Sequence, residues 1–222
     1  MKTKLLALTL LLSLCLLIVS SIAADPNAPA AQDSKTIQLP EPQKTGGKPL
    51  MQALAERKTS REFSTKELPD QVLSNLLWAA FGINRPDGKR TAPSAMNQQE
   101  IDIYVALAKG FYLYDAQSNS LKLVLEKDLR KMTGKQPFVE VAPVNLVYVA
   151  DLSKMTRGSE QDKAFYSGAD VGFIAQNVYL FCASENLATV VRGYVDKEIL
   201  AKAIGLRPDQ KVILAQTVGY PK

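Results

Sequence analysis

The chain has 222 residues, with 27 Lys and Arg against 22 Asp and Glu, and it contains no histidine. The lack of histidine excludes a Ser-His-Asp triad, a Cys-His catalytic pair and every metal site that needs an imidazole ligand. We predict no metal site. The net charge of +5 is spread along the chain without a Lys/Arg block or an RNA-binding motif, which argues against a nucleic-acid partner. We therefore expect a bound cofactor, or side chains other than histidine, to supply any reactivity.

Residues 1–24 predict a cleaved signal peptide. Lys2 and Lys4 precede an apolar run from Leu5 to Val19, and small residues suited to cleavage follow at positions 21–24. An uncleaved membrane anchor is the alternative, but the run is short for a helix that spans a bilayer. Cleavage predicts a periplasmic or secreted protein that has no membrane partner once the signal is removed.

Residues 25–48 predict a linker or N-terminal arm, because the stretch from 25 to 49 holds five of the twelve prolines and the pair Gly46-Gly47. We predict a single domain over residues 49–222.

The hydrophobic pattern of that domain alternates between helical and strand periods. In chain order it predicts a helix at 49–57, a helix from an Asp70 cap to Gly82, strands at 101–108, 111–114 and 121–125, a short helix at 126–132, a buried strand at 143–150, a long helix at 160–185, a strand at 188–194, a helix from an Asp196 cap to Ile204, and a last strand at 211–218. The class is α+β, a sheet covered by helices. The long helix is apolar on most sides from Gly168 to Ala183, which predicts a central position or contact with a partner subunit, and Cys182 within it is expected to be buried.

Three polar segments interrupt this pattern. The first, Arg57-Lys58-Thr59-Ser60-Arg61, combines three cations with two hydroxyls, a set that suits an oxyanion such as a phosphate. An ordinary basic helix end that complements the helix dipole is the alternative.

The second segment is Pro93-Ser94-Ala95-Met96-Asn97-Gln98-Gln99. Its amides donate and accept hydrogen bonds, as the edge of a planar heterocycle requires, although such a loop also bonds its own backbone. The third segment is Val190–Tyr194, where a strand ends in Arg192-Gly193 and the missing side chain of glycine lets backbone amides approach a ligand. Arg192 by itself is more typical of a protein surface.

The order and spacing of these segments resemble the nitroreductase family of flavin mononucleotide (FMN) oxidoreductases over Pro49 to Pro221, and Val218-Gly219-Tyr220-Pro221 is similar to the family's last-strand ending. The resemblance implies that the FMN phosphate and ribityl chain are held by Arg57, Lys58, Thr59 and Arg61, with Lys222 as a further phosphate contact. It places Pro93, Ser94, Ala95, Asn97 and Gln99 beside the flavin ring. It assigns the backbone of Val191, Arg192 and Gly193 to the ring's N5 and O4.

Within the family, Leu76–Ile83 and Gly110–Asp115 look like the thiazole/oxazole-forming (SagB-type) dehydrogenase branch. Lys58 and Thr59 replace the usual Arg and Ser but keep the charge and the hydroxyl. Glu100 stands where many members have Pro.

The resemblance implies a nitroreductase-like fold, with a mixed, mostly antiparallel sheet flanked by helices, and a homodimer with FMN sites built from both chains. It implies ping-pong hydride transfer through flavin N5 to or from a small organic substrate, with no catalytic side chain. Because nicotinamide cofactors are cytoplasmic, an exported member needs another electron donor. The alternative is a non-catalytic exported protein that binds a flavin or another planar ligand on the same fold.

Overall fold

A seven-stranded sheet forms the centre of the computed structural model, which describes residues 36–222. Its strands are β1 (Thr36–Gln38), β2 (Ile101–Leu107), β3 (Gly110–Asp115), β4 (Ser120–Leu125), β5 (Val144–Asp151), β6 (Ala188–Arg192) and β7 (Gln210–Gly219). Their spatial order is β1-β4-β3-β2-β5-β7-β6, and every neighbouring pair in the described sheet is antiparallel. The predicted α+β class is confirmed, with a sheet that is antiparallel throughout the described part.

Four α-helices flank the sheet: α1 (Leu50–Glu56), α2 (Asp70–Phe81), α3 (Glu160–Ser184) and α4 (Lys197–Ala203). Helix α3 begins at a capping box, in which Ser159 and Asp162 satisfy each other's backbone N–H groups. The predicted cap of α2 was one residue late, because Asp70 is already helical and Pro69 precedes it. The helix predicted at 126–132 was wrong: the described chain has only a 3-10 turn there, at Arg130–Thr133.

The second half of the predicted arm belongs to the domain. Strand β1 pairs with β4 at one edge of the sheet, and Leu39 is buried in the core. The carbonyl of Pro40 accepts hydrogen bonds from Ser74 Oγ at 2.5 Å and Asn119 Nδ2 at 2.7 Å. Part of the predicted linker or N-terminal arm is thus a strand of the sheet, because β4 offers main-chain partners to residues 36–38. The signal-peptide prediction lies outside the described residues, and no helix within 36–222 has the length and hydropathy needed to span a bilayer.

Helices α2 and α3 cover one face of the sheet, and α4 covers part of the other. Leu76, Leu77, Ile174 and Val178 are fully buried between the first face and its helices. All eight residues of β5 are buried, as the apolar run predicted. Cys182 is also buried as expected, and burial raises the pKa of its thiol above the ordinary value.

The side chain of Arg192 lies inside the protein, on the face of the sheet opposite α3. It donates to the Thr133 carbonyl at 2.6 Å, to Thr217 Oγ1 at 3.0 Å and to Asn145 Oδ1 at 3.0 Å. No carboxylate among the described residues pairs with it, and burial lowers the pKa of its guanidinium to about 10. The expectation that Arg192 is a surface residue was wrong, because the alternation along β6 turns it toward the covered face.

Replacing Arg192 by Lys should lower the free energy of unfolding by roughly 2–4 kcal/mol, because one ammonium group cannot reach three acceptors set in a fork and leaves some of them buried without a partner. Arg207→Lys is the matched control, because Arg207 bonds Asp151 from a side chain that is 53% exposed and should tolerate the change. Urea unfolding followed by circular dichroism measures both. Equal stability of the two variants would contradict a stabilising role for the buried network.

Candidate flavin site

A cavity of about 600 Å³ opens between α3, the segment that follows α1, and the edge strand β6. Lys58, Ser60, Tyr179, Thr189 and Lys222 are among its lining residues. Its volume lies within the range of small-molecule sites in proteins.

Hydrogen bonds to neighbouring elements hold residues 57–61 at this cavity. The Ser60 N–H donates to the Thr189 carbonyl of β6 at 3.0 Å. The hydroxyls of Thr59 and Tyr179 lie 3.1 Å apart in a hydrogen bond, and the Arg57 guanidinium lies 5.3 Å from the centre of the Tyr179 ring. The predicted phosphate segment is thus placed against α3 and β6.

The predicted phosphate ligands divide into three groups. Lys58 and Lys222 line the cavity, Arg57 and Thr59 lie beside it at Tyr179, and Arg61 is exposed and does not line it. The carboxylate of Glu56 also lines the cavity, but Lys48 Nζ bonds it at 2.6 Å and lowers its pKa together with Gln52. Glu62 lines the cavity as well, so Lys58 and Lys222 are the lining cations that an anionic ligand would meet beside this second acidic residue.

In the β6 segment one of the predicted backbone amides already has a partner within the chain. The Val191 N–H donates to the Tyr179 hydroxyl at 3.0 Å, and the Arg192 side chain lies in the core. Gly193 follows the edge strand, is exposed, and has only Leu214 Cδ2 within 4 Å of the place where a Cβ would stand. Gly193 is therefore the residue of this segment whose backbone a ligand could approach closely.

Tyr179 connects these segments, and the sequence interpretation did not include it. Its hydroxyl bonds both Thr59 and Val191, and so fixes the phosphate segment relative to β6. The sequence signal for it was weak: one hydroxyl in an otherwise apolar helical stretch, which is also typical of a core tyrosine.

Residues 93–99 form a tight loop with a 3-10 turn at Ala95–Asn97. Met96, Asn97 and Gln99 all have left-handed backbones, with φ of 52°, 54° and 48°. Gln99 Oε1 accepts from Arg90 Nε at 2.8 Å, and its Nε2 donates to Asn97 Oδ1 at 3.0 Å. Gln99 therefore stabilises its own loop, whereas Asn97 is exposed.

Backbone contacts close this loop and attach it to α3. Ser94 Oγ accepts from the Gln99 N–H at 2.7 Å, and Pro93 is exposed next to it. The Ala95 N–H donates to Asp170 Oδ2 on α3 at 2.9 Å. Ser94 and Ala95 thus shape the loop through their backbone and hydroxyl contacts.

Two buried polar groups near this loop were missed in the sequence. The side-chain amide of Gln98 is buried without a hydrogen-bond partner among the described residues. Glu100 is fully buried, and burial, followed by the facing Asp170 carboxyl, raises its pKa above the ordinary value. The sequence analysis noted Glu100 only because it stands where many family members have Pro.

The two halves of the predicted site meet α3 on opposite sides. The loop contacts it at Asp170 and the phosphate segment at Tyr179, nine residues later. Nine residues correspond to about 13 Å along a helix and about half a turn around it. None of residues 93–99 lines the cavity, so one chain does not bring the phosphate segment and the ring segment together.

Comparison with known proteins identifies relatives of the whole domain. The model of the nitroreductase family matches residues 54–220. The protein named "Putative nitroreductase MJ1384" from Methanocaldococcus jannaschii is 33% identical over 179 residues, which cover 75% of this chain and 88% of that protein.

Solved structures show the same architecture. The crystal structure of a putative nitroreductase from Ralstonia eutropha JMP134 superposes with a TM-score of 0.81 at 45% identity, covering 85% of this chain and 90% of that one. The structure of a putative nitroreductase in complex with FMN from Desulfovibrio desulfuricans shares the fold at a TM-score of 0.58 and 21% identity, covering 79% and 88%. The SagB-type branch remains a prediction. The family match and the similarity over most of the domain show that this chain belongs to the nitroreductase family of oxidoreductases.

Proposed function

We propose that the protein is an FMN-dependent oxidoreductase whose cofactor occupies the cavity at Lys58 and Lys222. The observation that carries this proposal is that Lys58, Lys222 and Ser60 line the same cavity of about 600 Å³. Phosphate needs cations and hydroxyl donors, and a flavin ring needs backbone and side-chain amides at its polar edge. The family match, together with a structural neighbour that was solved in complex with FMN, supports a flavin as the ligand class.

Each part of the site has a binding or orienting role in this proposal. Lys58 and Lys222 neutralise the phosphate, and Ser60 donates a hydrogen bond to it. Tyr179 holds Thr59 and Val191 in place, and the exposed backbone of Gly193 would be available to the ring. FMN when bound supplies the redox chemistry by hydride transfer through N5, which is why the chain needs no histidine and no nucleophile.

We propose further that the site is completed in a homodimer. Since the 93–99 loop and the phosphate segment lie on opposite faces of α3, Asn97 of one subunit would meet the cavity of its partner. Exposed apolar side chains provide a surface for such contact: Phe165 and Phe173 on α3 are 71% and 49% exposed, and Met51 on α1 is 75% exposed. Apolar area of this kind is what homodimer interfaces bury.

Purified protein incubated with FMN should retain the flavin, lose its yellow absorption on reduction with dithionite and regain it in air. Visible absorption spectra of the desalted protein measure this. Failure to retain FMN would contradict the proposal. Retained flavin that passes no electrons to any acceptor would favour the non-catalytic alternative, and efficient reduction by NADPH would contradict the expectation of a different donor.

Lys58→Gln should raise the dissociation constant of FMN about tenfold and leave that of riboflavin unchanged, because one charge-assisted hydrogen bond to the phosphate is lost. Lys211→Gln is the control, since Lys211 is an exposed lysine of β7 that does not line the cavity. Fluorescence titration with each flavin measures both constants. An equal loss of affinity for FMN and riboflavin would place the phosphate elsewhere.

Phe173→Asp should convert the dimer into a monomer and abolish FMN retention at micromolar protein, because a carboxylate replaces apolar contact area at the interface. Ile199→Asp is the matched control, since Ile199 is 58% exposed on α4, away from α1 and α3. Light scattering after size exclusion gives the oligomeric state. A Phe173→Asp variant that stays dimeric and yellow would exclude this face of α3 from the interface.

A further inference from the structure

Glu100 joins the 93–99 loop to β2 and carries a buried carboxyl group. Its side chain is fully buried, and neither carboxyl oxygen has a hydrogen-bond donor among the described residues. Its own carbonyl accepts from the Asp151 N–H at 2.9 Å, which fixes the backbone at this point. An unpartnered carboxylate in such a place is costly, so the group needs a different state or a different partner.

The partner that faces Glu100 is a second acid. Asp170 on α3 is 1% exposed, and its Oδ2 accepts the Ala95 N–H at 2.9 Å. Ser167, one turn earlier on α3, is buried and directs its hydroxyl to Met155 Sδ at 3.5 Å; it also lies near enough to Glu100 to act against the rise in the pKa of that carboxyl group. Neither carboxyl forms a salt bridge with a Lys or Arg in the described part of the chain.

The guanidinium of Arg90, which contacts the 93–99 loop, forms its hydrogen bonds with other acceptors. Arg90 donates to Gln99 Oε1 at 2.8 Å and to the Phe81 carbonyl at 3.1 Å. The titratable groups that face each other at this point are therefore Glu100, at the start of β2, and Asp170, on α3.

Two ionised carboxylates accept hydrogen bonds but cannot donate them, and in a buried site they repel each other. One proton between them removes the repulsion and creates an O–H donor for the second carboxylate. Burial raises the pKa of Asp170 as well, but the hydrogen bonds from the Ala95 N–H and from Glu100 both act to lower it, which favours Asp170 as the ionised partner. Glu100 is then the donor, and burial raises its pKa in agreement with this assignment.

We propose that Glu100 keeps its proton and donates it in a hydrogen bond to the Asp170 carboxylate, and that this bridge fixes the 93–99 loop on α3 and thereby positions Asn97. The positioning role rests on the proposed flavin function, while the shared proton does not. The loop needs such an attachment because three of its non-glycine residues have left-handed backbones, each of which costs free energy. Ala95 and Glu100 lie on either side of these three residues, so the bridge holds the strained turn from both ends.

The bridge makes the stability depend on pH in a defined direction. The folded protein binds the Glu100 proton more tightly than the unfolded chain, whose carboxyl has an ordinary pKa near 4.5. The stabilisation is therefore complete below that value and is lost as the pH rises through the raised pKa of the folded state. Glu100→Gln replaces the O–H donor by an N–H donor that does not titrate, so it should remove this dependence.

The first test uses protein without flavin. Infrared spectra at pH 7 should show the C=O band of a protonated carboxyl group in the wild type and in Glu67→Gln, an exposed control, but not in Glu100→Gln. Urea unfolding between pH 5 and 9 should show a decline in stability with pH that is steeper for the wild type than for Glu100→Gln. The absence of the band from the wild type at pH 7 would overturn the proposal that Glu100 and Asp170 share a proton.

The second test uses FMN. Glu100→Leu, which removes the bridge but fills the space, should weaken FMN binding about tenfold, whereas Glu100→Gln and Asp170→Asn should stay within about twofold of the wild type because an amide restores the hydrogen bond. Wild-type FMN affinity should fall as the pH rises, and that of Glu100→Gln should not.

Wild-type affinity in Glu100→Leu at every pH would overturn the positioning role. If the wild type itself takes up no FMN, the proposed function fails. The infrared band still tests whether Glu100 and Asp170 share a proton.

Discussion

The packing of α3 against the sheet is the constraint on which the rest of the structure depends. Val171, Ile174 and Val178 are fully buried along one side of this helix, so its rotation and height are fixed by apolar contact with the strands. The side-chain directions of Asp170 and Tyr179, which lie just before and just after these residues, are then fixed as well. Tyr179 faces the phosphate segment and β6, and Asp170 faces the 93–99 loop. The positions of both halves of the candidate site follow from the packing of one helix.

Buried polar groups are satisfied in two different ways. The charge of Arg192 is met by the neutral oxygens of Thr133, Asn145 and Thr217, which lie on the face of the sheet away from α3. The carboxyl of Glu100 has another carboxyl opposite it, which we propose is bridged by a proton. In both cases the group is held where water cannot replace its partners, so its hydrogen bonds specify geometry as well as contributing to stability.

Local signals in the sequence predicted the elements whose energetics are local. The apolar run of β5, the helical period of α3 and the Asp196 cap of α4 all appear as expected, because each depends on contacts within a few residues or on uniform burial. Prediction was wrong where a distant contact outweighed local preference. Arg192 is buried because three oxygens from distant parts of the chain accept its hydrogen bonds. Strand β1, which the sequence did not indicate, forms in the proline-containing arm because β4 offers it main-chain partners.

For the candidate site, the sequence by itself determined the family, the residue types and the exclusion of histidine-dependent chemistry, because these follow from which side chains are present and in what order. The tertiary structure decided which of them share a surface. It brought Lys58 and Lys222 to one cavity and gave the side chains of Gln99 and Arg192 hydrogen-bond partners in the loop and the core. It also placed Tyr179, Glu100 and Asp170 beside the predicted segments. The physical reason is that hydrogen bonds and burial act between elements far apart in the chain, and only the packed helix and sheet specify which groups come within bonding distance.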